Sequence, residues 1–478
     1  MVTRIRSPHA FSRRSLTLQL LGAALILELV IVGATADKAA AQTLEAALAQ
    51  AYRNNPLLNA QRAATRATDE GVPIALGGYR PQASATTAVG GQHIEVVSKS
   101  AAGNTTTFGS SHVAAYGLRV TQTLFDGFQT ENRVGQAETN VWAARDTLRN
   151  VEQIVLVGSV TAYMNVLRDG SVRDILQSNV AALGAIVTQG QERVKAGEAT
   201  QTDLMQAQAR HAAARAALLE AEANYRASRA AYVQVIGVEP GKLSGPKPID
   251  RMLPPNLPAV LKRARKENPL ITAATYTAEA AERQVRIALG VLYPTVTLQA
   301  AANKVVGTPS LTTPVLATAS VLGHVSVPIY QGGGEYAAIR QAKEVLGQRR
   351  LEVDAARLQV DSAATQSWAQ LESARARIQV TQAQLSLSDN SLRGVRTELV
   401  AGQRTTIELL NAQLELVNAR IALVSAHRDH VVASYEILAA INVLSPKALG
   451  LKTAVHDPVE HYQQVRDAWV GVRTPDGR

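Results

Sequence analysis

The chain has no cysteine among its 478 residues, and only 4% of its residues are aromatic. Without cysteine there can be no disulfide bond, thiolate metal site, cysteine nucleophile or lipid-modified N-terminal cysteine. Proline is absent from two long stretches, 127–194 and 332–400, and the middle of the chain is rich in Ala, Gln, Arg, Val, Leu and Glu. This composition favours long helices that pack through small side chains, and it is unlike that of a compact globular enzyme.

The chain also lacks any block of like charge. Its formal net charge is +10, and residues 1–41 contribute five basic and two acidic residues, so 10 − (5 − 2) leaves about +7 for the remainder. The other arginines alternate with Glu and Asp and have no aromatic residues interleaved, so we expect no nucleic-acid binding. No run of about 18 apolar residues follows Val32, which argues against a membrane-spanning helix there.

The first 41 residues have the pattern of a cleaved secretory signal. Basic residues within 4–14 precede an apolar run over 16–32, and small residues at 39–41 offer a cleavage site. An uncleaved membrane anchor is the alternative, and Glu28 inside the apolar run weighs against it.

An internal repeat is the most informative feature of the sequence. Asn55-Pro56 recurs as Asn268-Pro269, a shift of 268 − 55 = 213, whereas Gly197 recurs as Gly402, a shift of 402 − 197 = 205. The register therefore changes once, by 8 residues, between positions 81 and 124. We divide the chain into a signal, two repeats with a linker between them, and an irregular C-terminal tail, with bounds 1–41, 42–240, 241–255, 256–445 and 446–478.

Each repeat is predicted to contain a broken helix, a strand hairpin and a long helical hairpin. Alternation places Val296, Leu298 and Ala300 on one side of a strand, and 321–329 has the same pattern. A helix of about 68 residues would reach roughly 100 Å and needs partner helices along its length. The predicted helices are 43–78, 127–194 and 200–236 in the first repeat, and 256–291, 332–400 and 405–443 in the second, with loops at 98–111 and 307–314.

The two helical turns carry the most specific sequence pattern. The first reads Arg193-Val-Lys-Ala-Gly-Glu-Ala-Thr-Gln-Thr-Asp-Leu204, followed by Gln-Ala-Gln at 206–208. The second reads Glu398-Leu-Val-Ala-Gly-Gln-Arg-Thr-Thr-Ile-Glu-Leu409, followed by Asn-Ala-Gln at 411–413. Two copies at equivalent places, behind a signal peptide, resemble the outer-membrane efflux protein family of TolC over essentially the whole mature chain.

The resemblance implies a mainly α-helical protein with membrane β-structure. Three identical chains would share a twelve-stranded β-barrel in the outer membrane, continued by a helical barrel through the periplasm. The chain would be a passive duct for efflux or type I secretion, recruited by a periplasmic membrane-fusion adaptor and an inner-membrane ABC or RND-type pump. It would need no cofactor and would not be an enzyme. The alternative is a periplasmic coiled-coil adaptor or scaffold without a pore, which predicts one helical hairpin flanked by compact β domains.

Glu408 and Asn411 are the candidates for a pore-entrance ring. Their spacing of three places both on one helical face, and three copies would present three carboxylates around a narrow axis. The alternative for Glu408 is a solvated charge at a helix start, where it offsets the helix dipole.

The resemblance implies two further sets of residues at the turns. Arg404 would form a gate latch with Thr202 and Asp203, the alternative being a loose surface salt bridge worth about 0–1 kcal/mol. The adaptor-contact tips would be Gly197, Thr200, Gly402 and Thr405, where small residues permit close approach to the backbone. No phosphate loop, nucleophile elbow or metal-ligand spacing is present, since Gly332-Gly333-Gly334 lacks a following Lys-Ser/Thr and no acidic partner accompanies the histidines at metal-ligand spacing.

Overall fold

The computed structural model describes residues 42–246, 249–307, 315–475 and 477, and the predicted signal at 1–41 lies outside them. The first repeat contains α1 (Leu44–Asn54), α2 (Pro56–Asp69), α3 (Gly71–Leu76), β1 (Gln82–Ser100), β2 (Gly103–Phe125), α4 (Gln129–Lys195) and α5 (Gln201–Ile236). The second contains α6 (Leu257–Glu267), α7 (Pro269–Gly290), β3 (Thr295–Val306), β4 (Val315–Ser326), α8 (Gly334–Val400) and α9 (Thr406–Ala440), and α10 (Pro458–Val465) follows.

Two long helical hairpins dominate the molecule, as predicted. Helices α4 and α8 have 67 residues each, and α5 and α9, which fold back along them, have 36 and 35. At 1.5 Å per residue, the long helices span roughly 100 Å, so neither can belong to a compact core. Among the described helices, none is both long and apolar enough to cross a membrane.

The main hydrophobic core lies at the waist, where parts of both hairpins meet the shorter helices of each repeat. Tyr163 of α4 and Tyr232 of α5 are fully buried there. The Tyr163 hydroxyl oxygen lies 2.7 Å from the carbonyl oxygens of Gln42 and Ser244 and accepts the Ser244 N–H at 3.1 Å. This one hydroxyl therefore holds the start of the first repeat and the linker against α4.

A matched pair of buried asparagines positions the broken helix of each repeat. Asn55 caps α2 by accepting from Leu57 N–H, and its amide donates to the Val235 carbonyl at 2.8 Å. Asn268 does the same in the second repeat, donating to the Ala440 carbonyl at 2.9 Å. Because proline follows each asparagine, its fixed φ suits the first turn of the next helix. The repeated Asn-Pro pair thus ties each broken helix to the C-terminal end of its own hairpin.

The four strands form one antiparallel sheet in the order β1-β2-β3-β4. The predicted loop at 98–111 was wrong, because β1 and β2 pair as far as Ser100 and Gly103 and leave only two residues for the turn. Thr105, Thr106 and Thr107 are β-branched and suit a strand, although their polarity suggested a loop. Conversely β4 ends at Ser326, before the predicted Ile329, since Pro328 cannot donate to a ladder.

Where all four strands pair, the register gives the sheet an apolar and a polar face. One row across the four strands is Ala83, Val120, Ala300 and Val321, and a second is Ala85, Leu118, Ala302 and Ala319. Between them, on the opposite face, lies the row Ser84, Arg119, Ala301 and Ser320, and Thr86, Gly117, Asn303 and Thr318 form a further polar row. The predicted one-sided placement of Val296, Leu298 and Ala300 is confirmed by the same register.

The tail predicted to be irregular contains the short helix α10. Asp457 caps this helix by accepting from Val459 N–H at 2.8 Å, and Pro458 occupies the first turn. The helix packs against α2, where His461 Nδ1 lies 3.0 Å from Asp69 Oδ2. A cap and a proline at the first position explain why so short a segment is helical.

We predict that Asn55→Ala or Asn268→Ala lowers the free energy of unfolding by about 1–3 kcal/mol, because each removes a helix cap and leaves the part-buried Val235 or Ala440 carbonyl without its donor. The measurement is a guanidinium titration of the detergent-solubilised protein, followed by circular dichroism. Asn224→Ala is the matched control, since Asn224 is exposed within α5 and its side chain makes no hydrogen bond to the described residues. Equal midpoints for all three variants and the unchanged chain would contradict the role of the two caps.

Candidate functional site

The two helical turns have the same backbone geometry. In the first, Glu198 N–H donates to the Arg193 carbonyl at 2.8 Å and Gly197 N–H donates to the Val194 carbonyl at 3.1 Å. In the second, Gln403 donates to Glu398 at 2.9 Å and Gly402 to Leu399 at 3.1 Å. Gly197 and Gly402 both have φ +76°, the left-handed conformation that this helix ending requires. In each turn, a few residues therefore donate hydrogen bonds to the carbonyls left free at the end of a long helix.

Each returning helix begins with a reciprocal cap between side chains three residues apart. Thr200 Oγ1 accepts from Asp203 N–H at 3.1 Å while Asp203 Oδ2 accepts from Thr200 N–H at 3.3 Å. In the second turn, Glu408 Oε2 accepts from Thr405 N–H at 2.8 Å, and Thr405 Oγ1 accepts from Glu408 N–H at 3.4 Å. These caps satisfy the free N–H groups at both helix starts. The four tip residues Gly197, Thr200, Gly402 and Thr405 are all exposed.

Only the second turn carries a three-residue ion cluster. Arg404 Nε donates to Glu398 Oε2 at 2.8 Å, and Arg404 Nη1 donates to Glu408 Oε1 at 2.7 Å. The position equivalent to Arg404 in the first turn is Ala199, because 404 − 205 = 199. Two carboxylates and one guanidinium leave one net negative charge at the second tip. The two turns thus have the same backbone geometry and differ in the charged side chains that they carry.

The cluster keeps Glu408 ionised. The Thr405 N–H bond and then the Arg404 guanidinium lower the pKa of the Glu408 carboxyl to about 2, because both stabilise the charged form. The same two carboxylates raise the pKa of Arg404, with the bond to Glu398 as the largest cause. Glu408 is therefore both a capping residue and a fixed charge.

Asn411 meets a partner from the other hairpin. Arg210 of α5 donates to Asn411 Oδ1 at 3.2 Å, and two residues further on, Gln413 donates to Asn179 Oδ1 of α4 at 3.1 Å. These bonds join the two hairpins close to their tips. We did not predict Arg210 or Asn179 from the sequence, since no motif relates them to α9.

The predicted latch residues form no hydrogen bond or ion pair with one another in the structure. Arg404 contacts carboxylates of its own turn, and Asp203 is engaged in its helix cap with Thr200. Thr202 lies exposed in the first turn of α5. Within one chain, Arg404 is therefore not bonded to Thr202 or Asp203. A latch between these residues would need Arg404 to pair differently, and it stays a prediction.

A groove of about 370 Å³ runs between the two hairpins on the waist side of the tips. Its walls come from α4, α5 and α9, and apolar residues such as Leu176, Ala217 and Val417 line most of it. Arg210 lies in the same groove, so the contact with Asn411 closes its tip end. Specific polar bonds thus join the two hairpins near their tips, and the apolar groove lies on the waist side of these bonds.

The described residues hold no group of three His, Asp or Glu side chains that could bind a metal ion. Two histidines do have an acidic neighbour from a distant element, which sequence spacing did not reveal. His430 lies 3.2 Å from Asp250 and His461 lies 3.0 Å from Asp69. Each is a single pair, so the arrangement joins elements without forming a metal-ligand set.

Comparison with known proteins decides the family. The profile of outer membrane efflux proteins matches residues 39–238 and 260–443. The chain belongs to the outer membrane efflux protein family. The outer membrane efflux protein BepC of Brucella suis is 40% identical over 460 residues, covering 96% of this chain and 98% of BepC. The outer membrane protein TolC of Escherichia coli is 24% identical, covering 73% of this chain and 74% of TolC.

Solved structures of low identity show the same fold. The CmeC outer membrane channel of Campylobacter jejuni superimposes with a TM-score of 0.75 at 14% identity, covering 89% of both chains. The outer membrane protein VceC of Vibrio cholerae gives 0.70 at 17% identity, covering 84% of this chain and 96% of VceC. These comparisons confirm the predicted fold, the outer-membrane location and the assignment to a channel family, not to enzymes. A periplasmic adaptor without a pore is therefore no longer supported.

We predict opposite effects of one substitution at two glycines of the second hairpin. Gly402→Ala should destabilise the turn by about 1–2 kcal/mol, because alanine is strained at positive φ. Gly394→Ala, eight residues earlier within α8, should stabilise the helix by about 0.5–1 kcal/mol. An added Cβ meets no atom within 4 Å at either site, so only the backbone differs.

Hydrogen exchange at the second turn measures the two effects. Faster exchange of the turn amides in Gly402→Ala, with slower or unchanged exchange in Gly394→Ala, is expected. Equal exchange in both variants would show that the turn does not depend on its left-handed glycine.

Proposed function

We propose that this chain is one of three identical subunits of a passive outer-membrane channel that carries cargo out of the periplasm. The observation that carries the proposal is the sheet, which has one apolar and one polar face, with almost every residue of β1 and all of β4 exposed. A sheet that is apolar outside and polar inside suits a lipid-facing wall around a water-filled lumen. Its edges, β1 and β4, must pair with other copies, because an unpaired backbone is costly in lipid.

Three copies would supply twelve strands to one barrel. Four strands per chain cannot close a barrel, and about eight is the small end of membrane barrels. Twelve strands would leave an aqueous lumen, and the paired long helices would continue the tube away from the membrane. The rows that begin with Ser84 and Thr86 would then face the lumen, whereas Val120, Leu118 and Val321 would face lipid.

The exposed tips are the proposed docking surface for a periplasmic adaptor. Gly197, Thr200, Gly402 and Thr405 present little side-chain bulk, so another helical hairpin could approach their backbone closely. An inner-membrane pump of the ABC or RND type would supply the energy for transport. The similarity to the outer membrane efflux protein BepC supports efflux as the cargo route, and type I secretion remains the second use of the same duct.

Planar-bilayer recording of the purified protein tests the proposal directly. We expect discrete conductance steps from a preparation that runs as a heat-resistant trimer. Deletion of the gene, scored for drug sensitivity and for loss of secreted proteins, then separates the two cargo routes. A preparation that inserts into lipid and never conducts would overturn the channel.

The tip cluster should set ion preference at the entrance. We predict that Glu408→Gln reduces cation preference in planar bilayers, because it removes the net negative charge of the second turn in each copy. With a carboxyl pKa of about 2, Glu408 stays ionised as the pH falls, so the preference it provides should be constant from pH 7 to about pH 4. Unchanged selectivity in Glu408→Gln, or a loss of selectivity centred near pH 4–5, would contradict this role.

Arg404 is expected to hold the mouth closed. We predict that Arg404→Ser raises both conductance and cation preference, because it frees the turn and leaves two unpaired carboxylates in each copy. Arg393→Ser is the matched control, since Arg393 pairs with Asp389 on the exposed side of α8 near the tip. Equal conductance for Arg404→Ser and the control would argue against a latch in which Arg404 also reaches Thr202 or Asp203 during closure.

A further inference from the structure

The segment 456–472, here called the strap, follows the first repeat from the waist towards the sheet. His456 N–H donates to the Tyr52 hydroxyl of α1 at 3.2 Å, and His461 pairs with Asp69 at the end of α2. Further along, the Ala468 carbonyl accepts from Arg80 Nη1 at 2.6 Å. Residues 456, 461 and 468 of the strap thus contact residues 52, 69 and 80, in the same order along the chain. The strap therefore runs parallel to the path that leads into β1.

The strap ends at the base of the sheet, the end at which the strands join the helices. Arg80 immediately precedes Pro81 and β1, and its guanidinium lies 4.7 Å from the centre of the Trp469 ring. The cation–π contact and the bond to the Ala468 carbonyl hold the strap at this level. Arg80 is thus a positioning residue for Trp469.

The end of the strap carries apolar side chains that nothing in the described chain covers. Trp469 is 66% exposed, Val470 94% and Val472 101%. The cations beside these three residues are Arg80, which lies over the Trp469 ring, and Arg473, which follows Val472. Arg466 before them is already paired with Glu138 at 3.5 Å and with Asp467 at 3.8 Å. An aromatic and two aliphatic side chains beside cations form the combination that lies in the interface of a phospholipid leaflet.

The base of the sheet already carries aromatic residues at this level. Phe125 and Phe128 have ring centres 5.1 Å apart, and Phe128 and Tyr293 have ring centres 6.3 Å apart. Tyr79, next to Arg80, is half-exposed like Phe128 and Tyr293. Trp469 continues this aromatic zone, and aromatic girdles mark the water–lipid boundaries of membrane sheets.

We propose that the strap is a membrane anchor, in which Trp469, Val470 and Val472 insert into the phospholipid leaflet around the base of the sheet. The proposal rests on the membrane barrel proposed above. The occupant of the apolar surface is lipid, because the surface continues the aromatic zone and its cations suit lipid phosphates. A chain without cysteine has no lipid-modified cysteine for this purpose, and the strap would supply an anchoring contact from its own side chains.

Tryptophan fluorescence tests the anchor, since the chain has three tryptophans. Trp142→Phe with Trp368→Phe leaves Trp469 as the single emitter in the full chain. After reconstitution into phosphatidylethanolamine–phosphatidylglycerol vesicles, bromine placed near the headgroup end of the acyl chains should quench most of its emission. The matched control keeps only Trp142, which is 46% exposed on α4 and whose ring centre lies 5.6 Å from that of Tyr276. Its emission should not respond to brominated lipid.

Arg80→Ala should reduce the quenching of Trp469 and leave the trimer intact, because it removes only the contact that positions the strap. Trp469 emission that is quenched by aqueous iodide and not by brominated lipid would overturn the anchor. Emission protected from both would place Trp469 against a second copy of the chain and would also overturn it. Conductance of the same preparation separates the claims, since a conducting channel with unquenched Trp469 refutes the anchor alone.

Discussion

Apolar surface that one chain cannot cover is the constraint on which this structure depends. The rows containing Val120, Leu118 and Val321 lie on an exposed sheet face, and no helix of the described chain packs across them. Both edge strands leave one side of the backbone unpaired. Burial of such surface is worth roughly 25 cal/mol per Å², so the exposed face and the open edges both favour association with lipid and with further copies.

The long helices meet the same constraint by a different route. A single helix of 67 residues has no interior, and its stability comes from the apolar stripe that it buries against neighbours. Each long helix is covered on one side by its returning partner, and the largest interior shared by both repeats is the waist core. A smaller shared cluster nearer the tips packs Leu183 and Ala207 against Leu410. From the waist to the tips, the polar bonds of Arg210 and Gln413 join the hairpins. Stability is thus concentrated at the waist, and the tips are joined by few contacts.

Much of this fold could be predicted because the same residue patterns occur twice in the sequence. The Asn-Pro pairs, the glycine turns and the threonine caps each have a local physical cause, and each recurs at a constant shift. The extent of the first hairpin was missed, since threonine-rich strands with a polar face have a loop-like composition. The Arg210–Asn411 bond joins residues 201 positions apart without any repeated motif, so no local pattern could reveal it. Contacts between copies, including the predicted latch, depend on surfaces that one sequence does not relate to each other.

The proposed assembly of identical subunits in the outer membrane rests on the family assignment and on the exposed two-faced sheet. Native mass spectrometry of the processed protein, released from detergent micelles, tests this claim most directly. The account predicts a mass of three chains that persists at activation energies sufficient to strip the detergent. A monomer that stays in solution without detergent would contradict it, because such a monomer would leave the apolar face and both sheet edges in water.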